Sequence, residues 1–348
     1  MKKTFICLSV LFLLTACNKK STDKTEIKET EIHQEVTFDR FEEAPVINDI
    51  SRVPFIVYPK DSKIKLYVQP NEKADFIERE LTKTETLFGD TEVSNFYKII
   101  YQVDQNPQNS KYAYVLRSDV DKDNELVLSE NDHLNEIRYI NINGRVQNNV
   151  KSFDGYGSVS LIDKLEYNQV FQKNSHLLLK TNNKPVLQND IFSFRLRDGS
   201  LKEIPRVTNE EGLYELEYVG FSEELDRHFF KTTLDKTFLY YESFSTINNE
   251  IEEVIFQDLP TYSKSTHLVA YFANDEVGSL LVVKKYNPQD YSFKEIYAIN
   301  FTNFKVSSSK NLVWENEKTL VAEIHHPNTK TTSKDYKKQY IRIKFLNL

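Results

Sequence analysis

The sequence predicts an all-β protein behind a processed, flexible N-terminus. Three observations lead there. Short runs rich in β-branched and aromatic residues recur from about residue 53 onward, in a chain holding 23 Phe and 20 Tyr. Their apolar side chains follow a two-residue period, and no segment sustains the i, i+3, i+4, i+7 spacing of an amphipathic helix. Between them lie clusters such as Asp198-Gly199 and Thr181-Asn-Asn-Lys-Pro185, which is turn chemistry. The β region is long enough for two cores.

The N-terminus comes first. Lys2 and Lys3 precede an apolar run from Phe5 to Leu14. That run is far short of the ~20 apolar residues a spanning helix needs. It reads as a signal peptide over residues 1–16. The segment Leu14-Thr15-Ala16-Cys17 resembles the lipobox of bacterial lipoproteins. The resemblance implies cleavage before Cys17 and palmitate-type acylation, with a thioether at the Cys17 sulfur. The protein would then be anchored to a membrane by lipid, not by a span. An ordinary signal peptide with a chance cysteine is the alternative. Asn18, where some bacteria use Asp for inner-membrane retention, resembles the outer-membrane sorting pattern, facing the periplasm or the surface.

Processing has two chemical consequences. Cys7, the other cysteine, falls in the discarded segment, so a mature chain has no Cys nucleophile, thiolate zinc site or disulfide. Losing Lys2 and Lys3 with no acid takes the net charge from −7 to −9. That balance argues against nucleic acid and favours basic partners.

Residues 17–50 are polar and charged through most of their length and predict a disordered tether. A short surface helix through Lys24 to Glu35, where Glu and Lys alternate, fits the same residues.

Residues 51–125 predict the first β unit. Ile64-Lys-Leu-Tyr-Val-Gln-Pro70, Phe96-Tyr97-Lys98-Ile99 and Tyr112-Ala-Tyr-Val-Leu-Arg-Ser-Asp-Val120 are similar in order and spacing to the strands of bacterial SH3-like domains. The resemblance implies a small SH3-like barrel of the kind that binds cell-wall peptides or proteins. Ala113 stands where Gly often precedes the aromatic, and no residue of the family carries over as a ligand contact.

Residues 136–348 show a weak repeat. Ser175-His-Leu-Leu-Leu-Lys180, Arg227-His-Phe-Phe-Lys-Thr232, Thr266-His-Leu-Val-Ala-Tyr271 and Lys310-Asn-Leu-Val-Trp-Glu315 align, each followed by two further strand candidates. The spacings from His176 to His228, His267 and Asn311 are 52, 39 and 44 residues. A period of that size with three or four strands per unit predicts a β-propeller-like domain, and a multi-sheet meander or sandwich fits too. Low glycine, 8 residues in all, is unusual for regular propellers.

The sharpest local motif runs from Asp119 to Glu130. Asp119, Asp121, Asp123 and Glu130 take the acidic positions of a twelve-residue calcium loop, with Asn124 where Gly is usual. A preceding strand is the wrong setting for a helical pair, and an acidic solvated linker explains the same residues. The recurrence of His176, His228 and His267 at strand starts points to structural roles, and HExxH, GxSxG and P-loop patterns are missing. Gly155-Tyr-Gly157 predicts a turn. Tyr240-Tyr241, Tyr214 and Tyr218 are candidates for a sugar- or peptide-binding face, although strand aromatics are more often core.

Together these features lead to the expectation of a lipid-anchored, non-catalytic envelope protein that binds a protein or peptidoglycan partner. The alternatives are a propeller-type hydrolase acting on glycan or peptide, and an immunity or inhibitor lipoprotein.

Overall fold

A computed structural model describes residues 36–82, 85–174, 179–181, 183–207, 214–235, 238–274, 278–329 and 336–348. Cys17 and His176 lie outside them. The architecture is all-β and multi-sheet, as expected, with every strand pair antiparallel.

The first unit holds β1 (Phe55–Pro59), β2 (Lys63–Tyr67), β3 (Phe76–Glu80), β4 (Leu87–Val93), β5 (Phe96–Gln102), β6 (Ser110–Leu116) and β7 (Val120–Lys122). They form one sheet in the order β3-β2-β6-β5-β4-β1-β7, open at β3 and β7. Alternate residues on one face gather into a single core, with Val57, Leu66, Ile99, Ala113, Val115 and Val120 buried together. Leu66 on β2 and Val120 on β7 are five strands apart in the order, about 24 Å in a flat sheet, so the sheet must coil to bring them together.

One expectation is corrected here. Residues 36–44, read as the end of the tether, belong to the first unit. Phe38 stacks on Tyr101 with centroids 5.4 Å apart, and Phe41 is buried in the same core. Backbone bonds from Ala44 to Ser110 and from Tyr112 to Glu42 lay this segment along β6. Two aromatics three residues apart, one opening and one capping a single 3-10 turn, outweigh the polar residues around them.

The remaining strands are β8 (Ile137–Ile142), β9 (Arg145–Gln147), β10 (Gly157–Ile162), β11 (Leu179–Lys180), β12 (Val186–Gln188), β13 (Ile191–Arg195), β14 (Leu201–Pro205), β15 (Tyr214–Ser222), β16 (Arg227–Leu234), β17 (Phe238–Ser245), β18 (Val254–Phe256), β19 (Thr261–Ser263), β20 (Leu268–Asn274), β21 (Ser279–Asn287), β22 (Ser292–Phe301), β23 (Lys305–Val306), β24 (Leu312–Asn316), β25 (Thr319–His325) and β26 (Gln339–Phe345). They make four sheets. The first is β12–β14, the second β15–β18 with β11, the third β19–β22 with β8 and β9, and the fourth β23–β26 with β10.

The sheets stack in chain order, because central strands such as β16 and β20 have two apolar faces. On β20, Leu268, Ala270 and Phe272 face the fourth sheet while Val269 and Tyr271 face the second. On β16, Phe229 faces the third sheet and Phe230 the first. Burying such side chains contributes roughly 1.5–3 kcal/mol each, so a strand buried on both faces counts twice. The outer face of the fourth sheet is covered by α1 (Lys164–Lys173), through Tyr167, Val170 and Phe171. Among the described residues no core joins the first sheet to the fourth, so the series does not close into a ring.

Scarce glycine is replaced at the turns by short polar residues. Asn143, Asn189, Asp190 and Asp226 all hold positive φ, a region their side chains tolerate better than most. Gly157 is needed for another reason: a Cβ there would run into the Lys344 carbonyl and the Phe153 ring. No helix among the described residues is long and apolar enough to cross a membrane.

Candidate functional site

The acidic stretch is the joint between the two units. β7 extends its first turn, so the Asp121 main chain pairs with Tyr58 while its carboxylate meets Lys60 at 3.3 Å. Asp119 accepts from Ser118 at 2.8 Å, and Asp123 accepts from the Asn124 amide at 3.0 Å. Glu130 opens a separate 3-10 turn capped by Ser129 and Asp132. Only Asp121 lies on β7; Asp119 ends the 3-10 turn before it and Asp123 begins the turn after it, so an extended segment separates them instead of a loop wrapping around a point. Among the described residues no three His, Cys, Asp or Glu side chains come together to hold a metal. The stretch is bolted to the C-terminal strand: Gln339 accepts from the Leu128 amide at 2.5 Å and donates to its carbonyl at 2.7 Å.

His228 and His267 do not converge. His228 sits in a box of Phe194, Tyr218 and Phe221, with the Tyr218 hydroxyl 3.3 Å from Nδ1. Burial holds its pKa down to about 4, so it is neutral. His267, at φ 55°, pairs with the Tyr262 hydroxyl at 2.8 Å. His325 is buried against Tyr336, and burial also holds it down to about 4.

Two of the candidate tyrosines do meet. β15, β16 and β17 pair so that Tyr214, Thr232, Phe238, Tyr240 and Glu242 share the face turned toward the first sheet. Ile255, opposite Glu242 on β18, joins them. The first sheet covers the far end of this face with Phe192, Phe194 and Ile204 against Phe230 and Phe244. It leaves the near end open, where Phe238 is 66% and Ile255 49% exposed. Tyr218 turns to His228 instead, and Tyr241 enters the core on the opposite face, as alternation along β17 requires.

Beneath the open end lies Glu242, 2% exposed. Its carboxylate accepts from the Tyr214 hydroxyl at 2.5 Å and from Thr232 at 3.1 Å. Burial and the Glu242 carboxylate push the Tyr214 hydroxyl far up, and Tyr240, for the same reasons, up to about 12. Both tyrosines therefore stay protonated, as donors. Glu253, beside them, is raised by partial desolvation and by the charge of Glu242. The result is an aromatic and aliphatic surface over a buried carboxylate, flanked by a second acid. It can stack on a ring or an aliphatic chain and attract a cation.

Sequence reasoning identified Tyr214 and Tyr240 but missed Phe238, Glu242, Glu253 and Ile255. Strand register brings these together, and the chain has 52 acids with nothing local to mark two of them. No family model, curated protein or solved structure matches this chain.

Proposed function

We propose that the chain is a lipid-anchored, non-catalytic binding protein of the bacterial envelope, tethered through Cys17, whose partner is a protein or peptidoglycan. The observation that carries the binding role is the open face formed by Tyr214, Phe238, Tyr240 and Ile255 over Glu242. Exposed aromatic clusters of this kind mark interaction surfaces. The acidity below them suits a basic protein partner, which is also what an immunity or inhibitor lipoprotein would face. A hydrolase reading draws on the nearness of Glu242 and Glu253. Against it, Glu242 is held by two hydroxyls within the sheet, and glycoside hydrolysis needs both carboxyls at a cleft with the substrate between them.

The test is a pull-down from detergent-solubilised membranes, with purified cell wall sedimented in parallel, comparing wild type with a Phe238→Ser, Ile255→Ser double variant. Recovery of a specific protein or of cell wall by wild type alone is the expected result. Equal recovery by the variant, or none by either, sinks the reading. Cys17→Ser should abolish membrane fractionation and palmitate labelling.

A further inference from the structure

β10 is the outer strand of the fourth sheet and pairs on one side only, with β26. In an antiparallel pair, alternate residues turn their N–H and C=O groups outward. Here these are Gly157, Val159 and Leu161. The first two outward amides are capped by the chain itself: Gly157 N–H by the Phe153 carbonyl at 3.0 Å, and Val159 N–H by the Asn135 side-chain oxygen at 2.6 Å. Asn135 thus performs for Val159 what the carbonyl of a neighbouring strand would. At Leu161 the capping stops. Outside the β10–β26 ladder no hydrogen bond reaches its main chain among the described residues, and it opens on a cavity of about 510 Å³.

The cavity is built for an extended chain with cationic side chains. Leu134 and Val159 give it an apolar floor. Glu130, Glu136 and Asp154 line it against one Lys151, so acids outnumber bases three to one. Glu136 and Asp154 accept from the neutral amides of Asn303 and Asn135, so those bonds leave their charges uncompensated.

We infer that this groove takes an extended, basic segment of a partner protein as an added strand on β10. The partner backbone pairs with Leu161, an apolar side chain rests on Leu134 and Val159, and a Lys or Arg beside it meets Glu130. Main-chain pairing supplies affinity in this mode of recognition and the alternating side chains supply selectivity. The site is separate from the aromatic face and stands whether or not that face binds anything.

The experiment uses the full chain in detergent and a fluorescent peptide of about ten alternating Lys and Val residues, with a Glu-Val counterpart and a backbone N-methylated Lys-Val peptide as controls. Anisotropy should show the Lys-Val peptide binding at least about tenfold more tightly than either control, and Glu130→Lys should weaken it by about tenfold. Bound peptide should slow exchange of the Leu161 amide, and Leu161→Pro should lose binding. If that variant fails to fold, amide exchange in the wild type and the Glu130→Lys result decide the matter. Equal binding of the Glu-Val peptide, unchanged Leu161 exchange in the complex, or Leu161 protection by a soluble muropeptide instead of the peptide overturns the inference.

Discussion

The hairpin of β16 and β17 buries two opposite charges on its two faces, and the two sites are solved differently. Arg227 faces the third sheet. Its guanidinium donates to the carbonyls of Ser243 at 2.9 Å, Glu252 at 3.1 Å and Tyr291 at 3.2 Å, and lies 5.2 Å from the Phe293 ring centre. Glu242 faces the first sheet and relies on the side-chain hydroxyls of Tyr214 and Thr232. Backbone acceptors cannot be mutated away and are fixed by the fold. Hydroxyls can rotate, be replaced, or exchange partners. The cation is therefore part of the scaffold, joining the second and third sheets. The anion sits where chemistry can vary without dismantling that scaffold, beneath the exposed aromatics.

Arg227→Met tests the scaffold half most severely. It leaves three carbonyls, that of Ser243 fully buried, without their charged donor and should cost about 3–5 kcal/mol in urea denaturation, the usual penalty for breaking a buried charged network. A loss under about 1 kcal/mol would remove the distinction between the two faces.

Acid probes the Glu242 side next, through His228 on the same face. Its folded pKa of about 4 lies below the ordinary 6.5, so the fold favours the neutral ring. Above pH 6.5 this has no effect on stability. As pH falls from 6.5 toward 4, the unfolded chain takes up the proton first, and stability drops by up to about 3 kcal/mol. His325 should add a similar loss. His228→Phe should flatten part of the decline in thermal melts taken across that window.

Tyr214→Phe should cost less, about 1–3 kcal/mol, because Thr232 still serves Glu242. Adding Thr232→Val should cost more than the sum of the single changes, since the buried carboxylate then keeps only the Tyr240 hydroxyl. Simple additivity would mean that Tyr240 or water replaces the lost donors.

The smallest effects concern the two acidic sites. The folded pKa of Glu253 is raised, so its charged form opposes folding at neutral pH, while below the ordinary carboxylate range it is protonated in both states. Glu253→Gln should therefore raise Tm slightly at pH 7 and have little effect near pH 3.5, about one unit below the ordinary 4.5. Millimolar calcium should leave Tm unmoved, given the separation of Asp119, Asp121, Asp123 and Glu130. A shift of several degrees would show that these carboxylates close around the ion.

Much of this fold is legible in the residues. The meanders beginning at Arg227, Thr266 and Lys310 each stay within one sheet, because alternating apolar residues on neighbouring strands can bury only against one another. The first repeat breaks the pattern. Leu179 and Lys180 join the second sheet while Ile191–Arg195 enters the first, a choice made by edge pairing and not by local pattern. α1 escaped the periodicity reading because it offers only Tyr167, Val170 and Phe171 to bury over less than three turns. Its start is marked instead by Asp163, whose carboxylate accepts from the Glu166 amide at 2.7 Å. At the aromatic face, Tyr214 and Tyr240 stood out by type. Glu242 depends on residues 28 positions apart meeting across three strands, which only register decides.

The place of β10 also bears on how the chain is made. β10 has left the ribosome long before β26, yet among the described residues its only sheet partner is β26. β8 waits in the same way for β22. The first unit can coil and fold early, but the fourth sheet is complete only once β26 is delivered, a long-range step of the kind that slows β folding. A chain truncated before Gln339 would leave both β10 and β25 with bare edges. It should be recovered as an aggregate or a proteolytic fragment, not as a shorter working protein.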